Sequence, residues 1–134
     1  MPMADLPTPP KVPCGTCPYR RDVPSGVWAR EEYEKLPGYD GEIIDQLQAG
    51  ALGVFMCHQR DGCLCGGWLL THGADNLAAL RLHPVDPSAF TYTSDVPVWP
   101  SGAAAHDHGV RRIDNPSPDA LRKIHGLTKL IGEE

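Results

Sequence analysis

All five cysteines of this 134-residue chain fall in two short segments, and nothing else in the sequence constrains the fold as much. Cys14 and Cys17 form a C-x2-C pair near the N-terminus. Thirty-nine residues separate Cys17 from Cys57, and Cys63 and Cys65 follow within the stretch Val54 to Trp68. Thiols drawn from two distant segments most simply converge on one metal centre that staples the segments together. In a C-x2-C knuckle two thiolates reach one ion while a glycine, here Gly15, relieves the backbone. Four ligands are needed, and the five thiols and His58 are on offer. Cys65 is the preferred fourth ligand beside Cys14, Cys17 and Cys57, because Gly66-Gly67 lets the backbone come close to an ion. Cys63 and His58 are the alternates.

Fourteen glycines and fourteen prolines favour short elements joined by loops, and a small loop-rich domain commonly needs a staple. The odd cysteine count and the lack of an apolar leader in Met1 to Pro13 point to a reducing, cytoplasmic setting and to metal rather than disulfides. No run approaches the ~18 apolar residues of a membrane span. A net charge of −5 argues against broad phosphate-backbone binding, so nucleic acid is not expected as the primary partner.

Residues 1–13 read as an extended, Pro-rich lead-in, mobile until Cys14 pins it, and residues 14–134 as one domain. Ser25 reads as an N-cap for a helix over Val27 to Leu36, which Pro37-Gly38 ends. A second helix is expected from about Asp40 to Ala49, with Ile43, Ile44 and Leu47 inward and Gly50 as its C-cap. Val54 to Met56 reads as extended. A helical pattern runs from Trp68 to about Leu82, interrupted by Gly73. Phe90 to Thr93 reads as a short strand and Val96 to Gly109 as irregular. The last helix covers about Pro118 to Leu130, with Leu121, Ile124, Leu127 and Leu130 on one stripe. The expected fold class is mostly α with short irregular β, a small loop-rich domain stapled by a metal centre.

Zinc suits a tetrahedral four-thiolate site and supplies folding free energy directly. A [4Fe–4S] cluster, also held by four thiolates, is the rival, and the Cys17-Pro18 pair and the wide spacing of the second half suit it. The motif Cys14-Gly-Thr-Cys17-Pro-Tyr-Arg20, followed by Phe55-Met-Cys57-His58 and Cys65-Gly-Gly-Trp68, resembles a family of small uncharacterised Cys-rich proteins of actinobacteria and their phages. That resemblance covers about Cys14 to Leu70. It implies Cys14, Cys17, Cys57 and Cys65 as the shared thiols and Cys63 as an extra, and it carries no activity. Cys14-x2-Cys17-Pro-Tyr-Arg20 and Gly26-Val27-Trp28 are also similar to segments of the WhiB-like iron–sulfur regulators. The chain departs from those proteins in having no cysteine soon after Arg20, no Gly-Gly after Trp28 and no basic tail.

Other chemistry is less well supported by the residues. Cys14-Gly15-Thr16-Cys17 resembles a thioredoxin-type dithiol, but too few residues precede it to form the required strand, and Pro24 and Gly26 break the following helix. His106 and His108, alternating on an extended segment, would point to one side and can share an ion. No phosphate-binding glycine loop is present. A closed four-thiolate site and the lack of a catalytic motif favour a metal-binding accessory or regulatory protein acting through a protein partner. A redox sensor built on an iron–sulfur cluster and a metal-dependent enzyme using His106 and His108 are the alternatives.

Overall fold

The computed structural model describes residues 6–57 and 62–131, with side chains described as far as Leu127. Within it the chain is mainly helical and rich in loops, and its only extended pairings among the described residues are isolated bridges.

The lead-in is bonded to the body well before Cys14. Thr8 pairs in parallel with Cys63, its N–H donating to Gly62 O and its carbonyl accepting from Leu64 N, and Pro7 O accepts from Asp86 N. The lead-in, expected to be held first at Cys14, thus already makes backbone hydrogen bonds to the body at Pro7 and Thr8.

Helix α1 spans Arg30–Glu34, shorter than expected, because Ser25 does not cap it. Ser25 Oγ donates to Gly109 O at 3.0 Å and accepts from Arg112 N at 2.8 Å, tying this loop to a distant helix end. Pro37-Gly38 does not terminate helical structure at Leu36. Both lie inside a 3-10 helix, Leu36–Tyr39, that buries Leu36 and Tyr39. Helix α2, Ile43–Ala49, begins with a reciprocal Glu42/Asp45 capping box, three residues later than expected, and ends, as the sequence suggests, at Gly50 in the left-handed region. Its inward face differs from expectation. Ile44 is 58% exposed and Leu47 42%, whereas Gln46 is fully buried. Gln46 satisfies the backbone of the neighbouring segment: Nε2 donates to Asn76 O at 2.6 Å and Oε1 accepts from Ala78 N at 2.9 Å.

The expected helix from Trp68 to Leu82 is three pieces: α3 (Gly66–His72), a 3-10 turn (Ala74–Asn76) and α4 (Ala79–Leu82). Gly73, at φ +80, makes the break. Phe90 to Thr93 is not a strand. A 3-10 helix, Pro87–Thr91, starts where Asp86 accepts from Ser88 N, and Phe90 is exposed. The stretch read as irregular contains helix α5, Gly102–Val110. Its start is fixed locally by Ser101, whose Oγ accepts from Ala104 N, and from another segment by Asp40, which accepts from Gly102 N at 2.6 Å and Ala103 N at 2.9 Å. Helix α6, Pro118–Ile131, packs Ala120 and Leu127 against Val23, Val27 and Trp28. Leu121, expected inward, is exposed, and the side chain of Leu130 lies outside the described residues.

The main core is aromatic and surrounds α3. Trp68 is fully buried, with Tyr39 edge-on at 5.4 Å and Phe55 at 6.3 Å between ring centres. Among the described residues no helix is long and apolar enough to cross a membrane.

Candidate metal centre

Two backbone devices bring the cysteines together. In the first, Cys17 N–H donates to Cys14 O at 3.0 Å and Arg20 N–H to Cys17 O at 3.1 Å, so the knuckle is two successive tight turns. Trp28 Nε1 donates to Thr16 O at 2.7 Å and Arg20 Nη1 to Pro13 O at 2.9 Å, fixing the knuckle from both flanks. In the second, Met56 bridges Leu64 in antiparallel register. Cys57 N–H donates to Cys63 O at 2.7 Å and Cys65 N–H to Phe55 O at 2.9 Å. This pairing folds the chain back on itself, setting Cys57 across from Cys63 and Phe55 across from Cys65, the N-cap of α3.

The thiols meet as two pairs. Cys17 Sγ lies 3.7 Å from Cys65 Sγ in the interior, the residues being 1% and 3% exposed. Cys14 and Cys57 are half-buried and hydrogen-bond through their side chains. The pairs are close enough to feel one another: the charge of Cys17 acts on Cys14, that of Cys57 on Cys17, and that of Cys14 on Cys65. None of the five cysteines forms a disulfide. Among the described residues no three Cys, His, Asp or Glu side chains stand at finished metal-coordinating spacing. The four thiols form a paired constellation rather than a closed tetrahedron.

Thiolate character is distributed unevenly. The hydrogen bond from Cys65, joined by amide N–H donors at Tyr19 and Gly67, holds Cys17 below the ordinary thiol value against the opposing effect of burial. Burial, then the hydrogen bond to Cys17, pushes Cys65 well up, and the hydrogen bond to Cys57, then burial, pushes Cys14 up. Arg20 is a cation on which Cys17 and Cys14 act. It is held charged first by its bidentate pair with Asp22, with Cys17 and Cys14 adding to the effect.

Gly66 and Gly67 make the close approach feasible, as their sequence position suggests. A Cβ on Gly67 would lie 2.5 Å from Cys17 Sγ and 2.5 Å from Tyr19 Cβ, and one on Gly66 would lie 2.7 Å from the Tyr92 hydroxyl. That hydroxyl is a site feature the sequence reading missed. It is buried, with no hydrogen-bond partner among the described residues. Burial, then the charges of Cys17, Cys65 and Cys63, raise its pKa to about 12. Tyr92 is distant in sequence from every cysteine, so no local pattern signals it.

The alternates fare differently. Cys63 is buried and directs its thiol to Leu64 O at 3.6 Å. His58 lies outside the described residues. His106 and His108 are on α5, not on an extended segment, and residues two apart on a helix diverge. His106 Nδ1 pairs with Asp107 at 3.1 Å, while His108 Nε2 bonds Val23 O at 2.7 Å and its ring lies against Trp99. The geometric premise for a shared ion there is removed.

A family model described as "Family of unknown function (DUF6283)" matches residues 9–125. No curated protein and no solved structure matches the chain.

Proposed function

The chain belongs to DUF6283, a family of unknown function, and within it we propose a small metal-binding accessory or regulatory protein whose zinc is held by Cys14, Cys17, Cys57 and Cys65. The observation that carries this reading is the 3.7 Å separation of Cys17 and Cys65 across forty-eight positions of sequence. Two thiolates on one tetrahedral zinc, each about 2.3 Å from the ion, stand about 3.8 Å apart. The inner pair therefore has ligand spacing, and Cys14 and Cys57 close the set by turning from their shared hydrogen bond toward the ion.

The surroundings fit a zinc thiolate centre. Four thiolates leave it a net negative charge. The amide donors at Tyr19, Gly67 and Trp68 and the cation of Arg20 offset that charge, and the Tyr92 hydroxyl, without a partner among the described residues, is a further donor beside it. A site with four protein ligands is closed, and so its role is to hold the knuckle, the 56–65 segment and α3 on one core. The working surface is then the exterior, where Ile44 and Leu47 expose apolar side chains on α2 to a protein partner.

The arrangement in two pairs favours one second reading, an iron–sulfur redox sensor. A two-iron cluster takes one thiol pair per iron, whereas a [4Fe–4S] cubane puts each thiolate on its own iron and would hold Cys17 and Cys65 further apart than they are. Element and acid-labile sulfide analysis of anaerobically purified protein, with a visible spectrum, tests the assignment. One zinc per chain and a colourless solution are expected. Iron with sulfide and a visible chromophore would replace zinc by the cluster.

A further inference from the structure

The two thiol pairs differ in their access to solvent, and the difference has a chemical consequence. Cys17 and Cys65 are sealed under α3 and Tyr19. Cys14 and Cys57 instead line a cleft of about 320 Å³ with Lys11, Arg20, Pro10 and Pro13. Cys57 also borders a second cleft, of about 340 Å³, beside Glu32, Lys35 and Met56. Either cleft admits a molecule of a few heavy atoms, and neither reaches the inner pair. Both outer thiols line the same cleft, and the Cys57 side chain is the first cause of the upward shift at Cys14. Lys11 lines the same cleft, and its cation suits the anion that leaves when a thiolate attacks a peroxide.

We propose that Cys14 and Cys57 form an oxidative modification site, a dithiol that a hydroperoxide converts to a disulfide while Cys17 and Cys65 stay reduced. One thiolate attacks the O–O bond and becomes a sulfenic acid as hydroxide leaves. The second thiolate then displaces hydroxide from that sulfur. With hydrogen peroxide the balance is two thiolates, one peroxide and two protons going to one disulfide and two waters. The two sulfurs together lose two electrons and the two peroxide oxygens gain them. Disulfide formation at this pair rests on the one cleft that both thiols line. Its consequence, loss of two of four ligands and release of the ion, rests on the zinc reading.

Peptide mapping on the unaltered protein tests the site without a variant that must fold. Trypsin cuts at Arg60, between Cys57 and the pair Cys63 and Cys65, and at Lys11 and Arg20, on either side of Cys14 and Cys17. After stoichiometric hydrogen peroxide and alkylation of the remaining thiols, the proposal requires the peptide from residue 12 to 20 joined to that ending at Arg60. Fragment ions should place the link on Cys14 and show Cys17 alkylated. A link to the peptide carrying Cys65, or five thiols still alkylated, overturns it. A chromogenic chelator in the same reaction reports zinc. Release in step with the Cys14–Cys57 link is expected, and a correct link in protein that held no zinc at the start would overturn the metal reading while leaving the dithiol intact.

Discussion

Cys17 Sγ and Cys65 Sγ are 3.7 Å apart, one on the N-terminal knuckle and the other at the start of α3. Space for that contact comes from a residue with no side chain. Gly67 presents its Cα where any Cβ would lie 2.5 Å from Cys17 Sγ and from Tyr19 Cβ. The helix can therefore press its first turn onto the knuckle, and the amide of Gly67 donates to the Cys17 sulfur. The glycine pair, the knuckle and the inner thiols are one packing unit.

Gly67→Ala should accordingly cost about 1–3 kcal/mol through overpacking and lower the retained zinc, despite the better helix propensity of alanine. Gly15→Ala is the control, because a Cβ there meets nothing within 4 Å. Thermal denaturation and metal content of the two variants check this. Equal behaviour would show that the helix does not press on the thiols.

The same logic inverts the usual effect of a helical glycine at Gly109. Glycine to alanine inside a helix ordinarily gains about 0.5–1 kcal/mol. Here the new Cβ would overlap the Tyr33 ring, and Gly109→Ala should destabilise by about 1–3 kcal/mol. Chemical denaturation gives the sign directly, and a gain in stability would contradict the α1–α5 packing.

On α2 the polar residue carries the packing. Gln46→Leu leaves Asn76 O and Ala78 N without their partners in the interior, and should cost on the order of 2–3 kcal/mol. Ile44→Ala, on the exposed face, should stay within about 0.5 kcal/mol of the parent. Denaturation midpoints in which the order of these two variants is reversed would show that the helix faces the other way.

His72 makes the fold sensitive to mild acid. Its side chain is 4% exposed, and its Nε2 lies 3.1 Å from the Tyr19 hydroxyl. Burial lowers its pKa from 6.5 to about 4, with Asp40 pulling the other way. The folded state thus binds fewer protons than the unfolded state between those values. The stabilisation is complete above pH ~6.5 and is lost as pH falls toward ~4, on the order of 3 kcal/mol in all. Thiolate protonation also weakens metal binding in acid, so the informative quantity is the difference from His72→Gln, which should lose less stability over that window. Parallel curves would show that His72 is not held neutral.

The legible parts of this fold were those written in local chemistry. Gly50 announced the end of α2, Gly73 the break in the long apolar run, and Gly66-Gly67 a close approach. Of the cysteines singled out, Cys17 and Cys65 lie 3.7 Å apart, and Cys14 and Cys57 line one cleft. What escaped depends on partners far along the chain. Helix α5 is low in hydrophobic residues that mark a stripe, and its start is fixed by Asp40 sixty-two positions away. Gln46 reads as a surface residue until Asn76 and Ala78 surround it. Tyr92 reaches the thiols only in three dimensions.

The central claim is that four sulfurs share one zinc. Zinc K-edge X-ray absorption on the purified protein measures this directly. The expected result is a single shell of four sulfurs at about 2.3 Å, reduced in Cys14→Ser and Cys65→Ser alike. A shell dominated by nitrogen or oxygen, or a protein that carries no zinc and keeps its stability when either cysteine is replaced, would contradict it.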